Sequence, residues 1–195
     1  MAVRKLLFAT NNAHKLAEVQ AVLGPEFALT TPRDCGVAEE IPETCDTLEG
    51  NASQKAHYLH DCTGLDCFAD DTGLEVAALG GAPGVHSARY ATDGHDFLAN
   101  NRLLLRNLEG IADRRARFRT VIALLLDGQE YRFEGIVEGR IIEHESGTEG
   151  FGYDPLFVPD GFDKTFAEMT ADEKNAVSHR GRAVRRLVEF LQQHT

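Results

Sequence analysis

The sequence predicts a mixed α/β fold: a mixed sheet with flanking helices. Two observations carry that expectation. β-suited runs hand over to amphipathic helices in the manner of parallel strand–helix units, and a hairpin signal at Asp127-Gly128 calls for an antiparallel pair. Size sets the scale, since 195 residues make one domain, expected to span residues 1–195, or two small lobes. With 43% apolar and 26% charged residues the chain can bury a core and does not read as disordered.

Residues 3–10 form a short β-suited run around Leu6, Leu7 and Phe8 that gives way at Asn11-Asn12. A helix follows, because Leu16, Val19 and Leu23 recur at three and four residues, and Gly24-Pro25 stops it. Thr47 is placed to cap a second helix with Leu48, Ala52, Ala56 and Leu59 on one face and Lys55 near its middle. Residues 66–69 read as a buried strand running into Asp70-Asp71-Thr72-Gly73, so two adjacent carboxylates are expected at a strand end. Gly80-Gly81-Ala82-Pro83-Gly84 is a loop, and residues 97–108 are helical with Leu104, Leu105 and Leu108 inward. Residues 116–126 and 130–137 form the hairpin. Gly147, Gly150 and Gly152 mark a second glycine-rich loop leading into Leu156-Phe157-Val158. Thr170 and Glu173 match a capping box, and Ser178 is placed to cap a last helix whose Val184, Leu187, Val188 and Leu191 share a face.

Charge and cysteine content exclude several classes of function. With 31 acidic and 20 basic residues the net charge is −11, the opposite of the footprint of a protein that tracks a nucleic-acid backbone. An anionic small molecule stays compatible where a local basic cluster or a bound cation overrides the overall field. Cys35, Cys45, Cys62 and Cys67 form no C-x-x-C pair and have no histidine pair at zinc spacing, so free reduced thiols are expected. No secretory segment opens the chain and no apolar run approaches the ~20 residues that span a bilayer, so a cytoplasmic protein without a membrane partner is expected.

Four clusters stand out as candidate chemistry. Thr10-Asn11-Asn12-Ala13-His14-Lys15 is a strand-to-helix turn whose N–H groups, hydroxyl and ammonium suit phosphate, with simple helix capping as the alternative; Walker A spacing is absent. Asp70 and Asp71 would repel each other unless a cation or proton lies between them, which suits a hard divalent ion, whereas the acidic run from Asp34 to Glu49 reads as a solvated face. Asp71-Thr72-Gly73 also spells the aspartic-protease triplet, but a second triplet or a symmetric dimer would be needed and Asp70 precedes it where an apolar residue belongs. Phe151-Gly152-Tyr153-Asp154 could stack two aromatics on a flat base or be an ordinary turn with two core aromatics. Lys174, Arg180, Arg182, Arg185 and Arg186 are five cations with no intervening acid; the last three suit a wet helix face, while Lys174, His179 and Arg180 fall in a turn where side chains converge. Together the four describe a nucleotide polyphosphate site.

At these residues the chain resembles the inosine/xanthosine triphosphate pyrophosphatase family of enzymes for non-standard purine nucleotides. The matching blocks are Ala9-Thr10-Asn11-Asn12-x-x-Lys15, Pro42-Glu43-Thr44, Asn51-Ala52-x-x-Lys55-Ala56, Ala69-Asp70-Asp71-Thr72-Gly73-Leu74, Gly80 to Gly84, Ser87-Ala88-Arg89-Tyr90, Phe151-Gly152-Tyr153-Asp154-Pro155 and Glu173 to Arg180, in family order over nearly the whole chain. Asn11 and His14 stand where glycine is common, Thr72 where serine is, and Gly50 where glutamate is; His14 is the departure able to alter the phosphate turn. The resemblance implies an elongated α/β fold of two lobes around a central nucleotide-binding cleft, a homodimer, and Mg²⁺-dependent hydrolysis of XTP, ITP or dITP to the monophosphate and pyrophosphate. It assigns Asp71 as general base and metal ligand, Glu43 as the second ligand and Asp70 as a candidate third. Thr10, Asn11, Asn12, Ala13, His14, Lys15, Lys55, Thr72 and Lys174 become phosphate and sugar contacts, and Phe151, Gly152, Tyr153, Asp154, His179 and Arg180 the base pocket. A pyrophosphatase for pyrimidine or modified nucleotides, or a sensor that binds without turnover, would use similar residues; the Ser178-His179-Arg180 turn disfavours the first and Asp71 near Glu43 the second.

Overall fold

The computed structural model describes residues 3–194; residues 1, 2 and 195, the ends of the expected 1–195 span, lie outside the described residues. One six-stranded sheet runs through the fold in the order β2-β1-β3-β4-β5-β6: β1 Arg4–Phe8, β2 Phe27–Thr30, β3 Cys67–Val76, β4 Arg115–Leu126, β5 Gln129–Ile141 and β6 Phe157–Pro159. β1 is parallel to both β2 and β3, and β5 is antiparallel to β6, so the sheet is mixed as expected. Among the described residues five α-helices accompany it: α1 Ala13–Leu23, α2 Leu48–Thr63, α3 Phe97–Asn107, α4 Ala171–Val177 and α5 His179–Gln193. β4 and β5 are joined by Asp127-Gly128 with φ of 50° and 75°; both are positive, as a two-residue hairpin turn of type I′ requires.

The chain divides into two compact units, one comprising the residues through Asp71, Thr120–Gly135 and those from Arg180 onward, the other Thr72–Arg119 and Ile136–His179. It passes from one to the other within β3, β4 and β5 and at the His179–Arg180 peptide. In the first unit Phe8 and Phe68 stack at 4.4 Å across β1 and β3, and Val184, Leu187 and Leu191, one stripe of α5, are buried in the same cluster. The stripe is the helical periodicity of the sequence turned into core. In the second unit Leu104 and Leu108 pack with Leu74, Phe118, Val137 and Phe157.

One expectation is corrected. Asp70 and Asp71 do not end a strand; β3 continues through them to Val76. Their charge does not break the strand, because each carboxylate finds an ammonium or guanidinium partner. Past them, Gly73 lets the backbone approach Gly84: a Cβ at residue 73 would stand 2.7 Å from the Gly84 carbonyl oxygen. Among the described residues no helix is long and apolar enough to cross a membrane, and Cys35, Cys45, Cys62 and Cys67 are free thiols.

Candidate active site

Successive residues of a strand face opposite ways, and the first unit uses that alternation to give Asp70 and Asp71 different partners. Asp70 Oδ1 accepts from Lys15 Nζ at 2.9 Å and Oδ2 from Arg180 Nε at 3.3 Å, while Arg180 Nη1 is held by Glu18. Lys15 and Glu18 lie three apart on α1 and so share a face. Asp71 Oδ1 accepts from Lys55 Nζ at 3.2 Å and Oδ2 from Asn51 Nδ2 at 3.2 Å. Asn51 and Lys55 are four apart on α2, which aims both at β3. Lys55 also donates to Glu43 Oε1 at 2.5 Å, so one buried ammonium joins Glu43 to Asp71.

Glu43 sits outside helix and strand, on a segment that α2 pins down. Thr44 N donates to Gln54 Oε1 at 2.9 Å, Gln54 Nε2 returns a bond to Thr44 Oγ1 at 2.8 Å, and Cys45 N donates to Asn51 Oδ1 at 2.8 Å. Asn51 therefore holds the Glu43 segment with its oxygen and Asp71 with its nitrogen.

The two carboxyls titrate in opposite directions. Burial opposes the charge of Asp70, but Lys15 and Arg180 overrule it and hold the group well below the usual carboxylate range. Burial pushes Asp71 up, and the attraction of Lys55 and Lys15 offsets only part of that. Burial works against the Lys55 ammonium too, yet Asp71 and Glu43 raise its pKa, and Glu18 and Asp70 do the same for Arg180. Asp70 is thus a fixed anion inside a cationic pair, whereas Asp71 is a carboxylate whose proton affinity is enhanced.

The Thr10–Lys15 turn takes the capping role. Asn12 Oδ1 accepts from His14 N at 3.0 Å and Lys15 N at 3.2 Å, and Asn12 N donates to Thr10 Oγ1 at 3.1 Å. Two of the backbone donors that the sequence suggests for phosphate close the helix instead. Asn11 is exposed and Ala13 opens α1, beside the Lys15 ammonium.

In the second unit the glycine-rich loop is braced from within. Asp154 Oδ2 accepts from Phe151 N at 2.8 Å and from Lys174 Nζ at 2.7 Å, and Lys174 Nζ lies 5.1 Å from the Phe151 ring centroid. The loop needs its glycines: a Cβ at Gly150 would collide with the Asp154 carboxylate, and one at Gly147 with the Ala167 backbone. Of the two readings open for Phe151 and Tyr153, stacking aromatics or core aromatics, Tyr153 takes the core position. Tyr153 is 4% exposed and its hydroxyl donates to Ser87 O at 2.8 Å, so it anchors the loop, while Phe151 is half-buried. Gly152 and Thr72 are half-buried as well. Lys174, which the resemblance assigns to phosphate and sugar, is the ion-pair partner of Asp154 in this loop. The His179 ring is buried and stacks on Phe118 at 4.5 Å and 14°. Arg180, assigned to the base, has Nε and Nη1 committed to Asp70 and Glu18 in the first unit.

Sequence reasoning gave no role to Asn51, Glu18 or Gln54. Asn51 and Glu18 carried a signal in their spacing of four and three residues from Lys55 and Lys15 on predicted helices. Gln54 carried none, since its partner Thr44 lies on an irregular segment.

The model of the Ham1 family matches residues 6–190. A protein of Flavobacterium johnsoniae named dITP/XTP pyrophosphatase is 51% identical over 187 residues, covering 96% of this chain and 97% of its own. Two solved structures share the fold over 98% of this chain and all of theirs, each with a TM-score of 0.89: the Ham1 protein of Staphylococcus aureus at 35% identity and a HAM1 protein from Coxiella burnetii at 38%. With that match over nearly its full length, the chain belongs to the Ham1 family.

Proposed function

We propose that this chain is a dITP/XTP pyrophosphatase: it hydrolyses non-standard purine nucleoside triphosphates to the monophosphate and pyrophosphate. The observation that carries the chemistry is Asp71, a buried carboxyl with enhanced proton affinity, joined through Lys55 to Glu43. The near full-length similarity to proteins bearing that name supplies the substrate class.

In this reading Asp71 orients a water and takes its proton as the water oxygen bonds to the α-phosphorus. The bond from that phosphorus to the bridging oxygen breaks, and pyrophosphate leaves with the electron pair. Lys55 and Lys15 offset the negative charge that develops on the phosphate oxygens. Asp70 stays ionised throughout and keeps Lys15 and Arg180 in position. The Phe151 loop, with Lys174 and His179, takes the base.

Glu43 and Asp71 are the residues that would hold Mg²⁺. Among the described residues no group of three or more His, Cys, Asp or Glu side chains forms a metal cage. Two carboxylates suit an ion that keeps several waters and draws its remaining ligands from substrate phosphates. When bound, such an ion supplies charge neutralisation on those phosphates. A single domain of two lobes, a cytoplasmic location and a homodimer complete the reading; light scattering at micromolar concentration should give about twice 21.4 kDa, and a monomer that is fully active would remove the dimer from it.

A panel of XTP, ITP, dITP, ATP, GTP and dTTP, followed by pyrophosphate release, tests the function. Release from the first three at rates well above the others is expected. Stepwise release of orthophosphate, or a preference for dTTP, would overturn the reading.

A further inference from the structure

We infer that Asn101 on α3 is a positioning residue for base selection, acting through the Gly152 carbonyl. The inference rests on the reading that the Phe151 loop takes the base. Asn101 is 4% exposed, and its Nδ2 spends both protons on the loop segment: on Gly152 O at 3.2 Å and on Glu145 Oε1 at 2.8 Å. Its Oδ1 is buried with no hydrogen-bond partner among the described residues.

The neighbouring Asn100 shows what a purely architectural amide looks like in the same helix. Its Oδ1 accepts from Ala91 N at 2.8 Å, and its Nδ2 donates to Ala88 O at 3.1 Å and Ser87 O at 3.4 Å, so both ends are used. Packing alone would not select asparagine at residue 101, because an aliphatic side chain would fill the space without leaving a buried acceptor unmatched. What the aliphatic chain could not do is hold the Gly152 carbonyl.

That carbonyl is the joint at which the loop would otherwise turn. Phe151 N is fixed by Asp154, Tyr153 by Ser87 and Asp154 by Lys174. Gly152 lies between them at φ +65° with open space around its α-carbon, so glycine serves conformation there and not a close approach. A glycine peptide in such a place rotates readily unless its carbonyl is captured. Rotation would re-aim the Phe151 ring, which also leans on Phe97 from α3 at 5.9 Å. α3 thus grips the loop twice, four residues apart on one face: Phe97 on the ring and Asn101 on the backbone.

The test is Asn101→Leu, which keeps the side-chain volume and removes the donors. The readouts are kcat and KM for ITP and ATP together with the melting temperature. Expected are an unchanged or raised melting temperature, kcat within about threefold, and an ITP KM raised about tenfold, so that the ITP/ATP ratio of kcat/KM falls about tenfold. Equal losses for ITP and ATP, or an unchanged KM, would overturn the inference by reducing Asn101 to a packing residue. If Asn101→Leu does not fold, Glu145→Ala at an exposed position carries the test, with the ratio expected to fall about threefold; an unchanged ratio overturns the inference. Phe151→Ala separates the two levels. If it leaves the ITP KM unchanged, the base reading itself fails, whereas a raised KM in Phe151→Ala with none in Asn101→Leu overturns only the role of Asn101.

Discussion

Asp70 and Asp71 are consecutive on β3, yet their carboxyls are driven apart in acidity, Asp70 downward by Lys15 and Arg180 and Asp71 upward by burial. Two chemically identical side chains are therefore set up for different tasks, and the proposed reading makes Asp70 structural and Asp71 reactive. Asp71→Asn should keep the fold and lower kcat by ~10²- to 10⁴-fold, the usual cost of losing a general base. Asp70→Asn should instead lower the melting temperature, because it strands Arg180 and Lys15; removing one partner of a buried ion pair costs ~3–5 kcal/mol. Steady-state kinetics with thermal melts on both variants separates the roles, and equal kinetic and thermal behaviour would refute the division.

The acidity of Asp70 fixes the sign of a pH effect on stability. Its folded-state pKa lies below the unfolded value of ~3.9, so its contribution is fully present above that pH and is lost as pH falls through the folded-state value. Wild type should lose melting temperature between about pH 5 and 2 more steeply than Asp70→Asn. Parallel curves would mean that Asp70 has no acid-sensitive pairing.

How much of this was legible in the sequence differs by element. α5 and the hairpin were readable because their periodicity, Val184-Leu187-Leu191 and the Asp127-Gly128 turn, is local. β2 was missed: Phe27–Thr30 is a four-residue strand just after a helix stop, too short for any alternation to show. The end of β3 is not legible because polar Asp70 and Asp71 look locally like a boundary, and what keeps them inside the strand are Lys15, Lys55 and Arg180, which are remote in sequence. The site residues were readable by type, but their pairing was not. Nothing local says that Lys174 meets Asp154 or that Arg180 meets Asp70.

Burial sets the reactivity of the thiols. Cys67 is 2% exposed, and burial, with the nearby Asp66 charge, pushes its pKa up to about 12, so at pH 8 the thiolate that reacts is about one part in ten thousand. Cys62 is exposed. Iodoacetamide on the native protein should label Cys62 and spare Cys67 until denaturant is added, and mass spectrometry of the peptides reads this directly. Labelling of Cys67 at the rate of Cys62 would contradict its burial.

Lys174 gives a prediction about the Phe151 loop. The ammonium is held between the Asp154 carboxylate and the Phe151 face, so Lys174→Met removes a buried ion pair and a cation–π contact together. It should raise KM for ITP and Ki for IMP as an inhibitor by similar factors, since in the proposed reading the loss falls on the base end. A loss confined to triphosphates would return Lys174 to the phosphates.

Arg180 decides between two accounts of the same residue. The resemblance places His179 and Arg180 in the base pocket, and replacing Arg180 should then collapse the preference for ITP over ATP. In the structure its Nε and Nη1 serve Asp70 and Glu18, and the guanidinium is 3% exposed at the start of α5. In the proposed reading a group so held acts on the reaction through Asp70, and hence through Lys15 and the strand that carries Asp71. Arg180→Ala should therefore lower the melting temperature and reduce kcat/KM for ITP and ATP by the same factor, leaving their ratio within about twofold. Arg180→Lys should recover part of the stability, because an ammonium can satisfy one carboxylate but lacks the fork that spans two. The specificity constants for both substrates in wild type and both variants decide the matter: a ratio that collapses while the melting temperature holds would show that Arg180 leaves Asp70 and Glu18 to read the base.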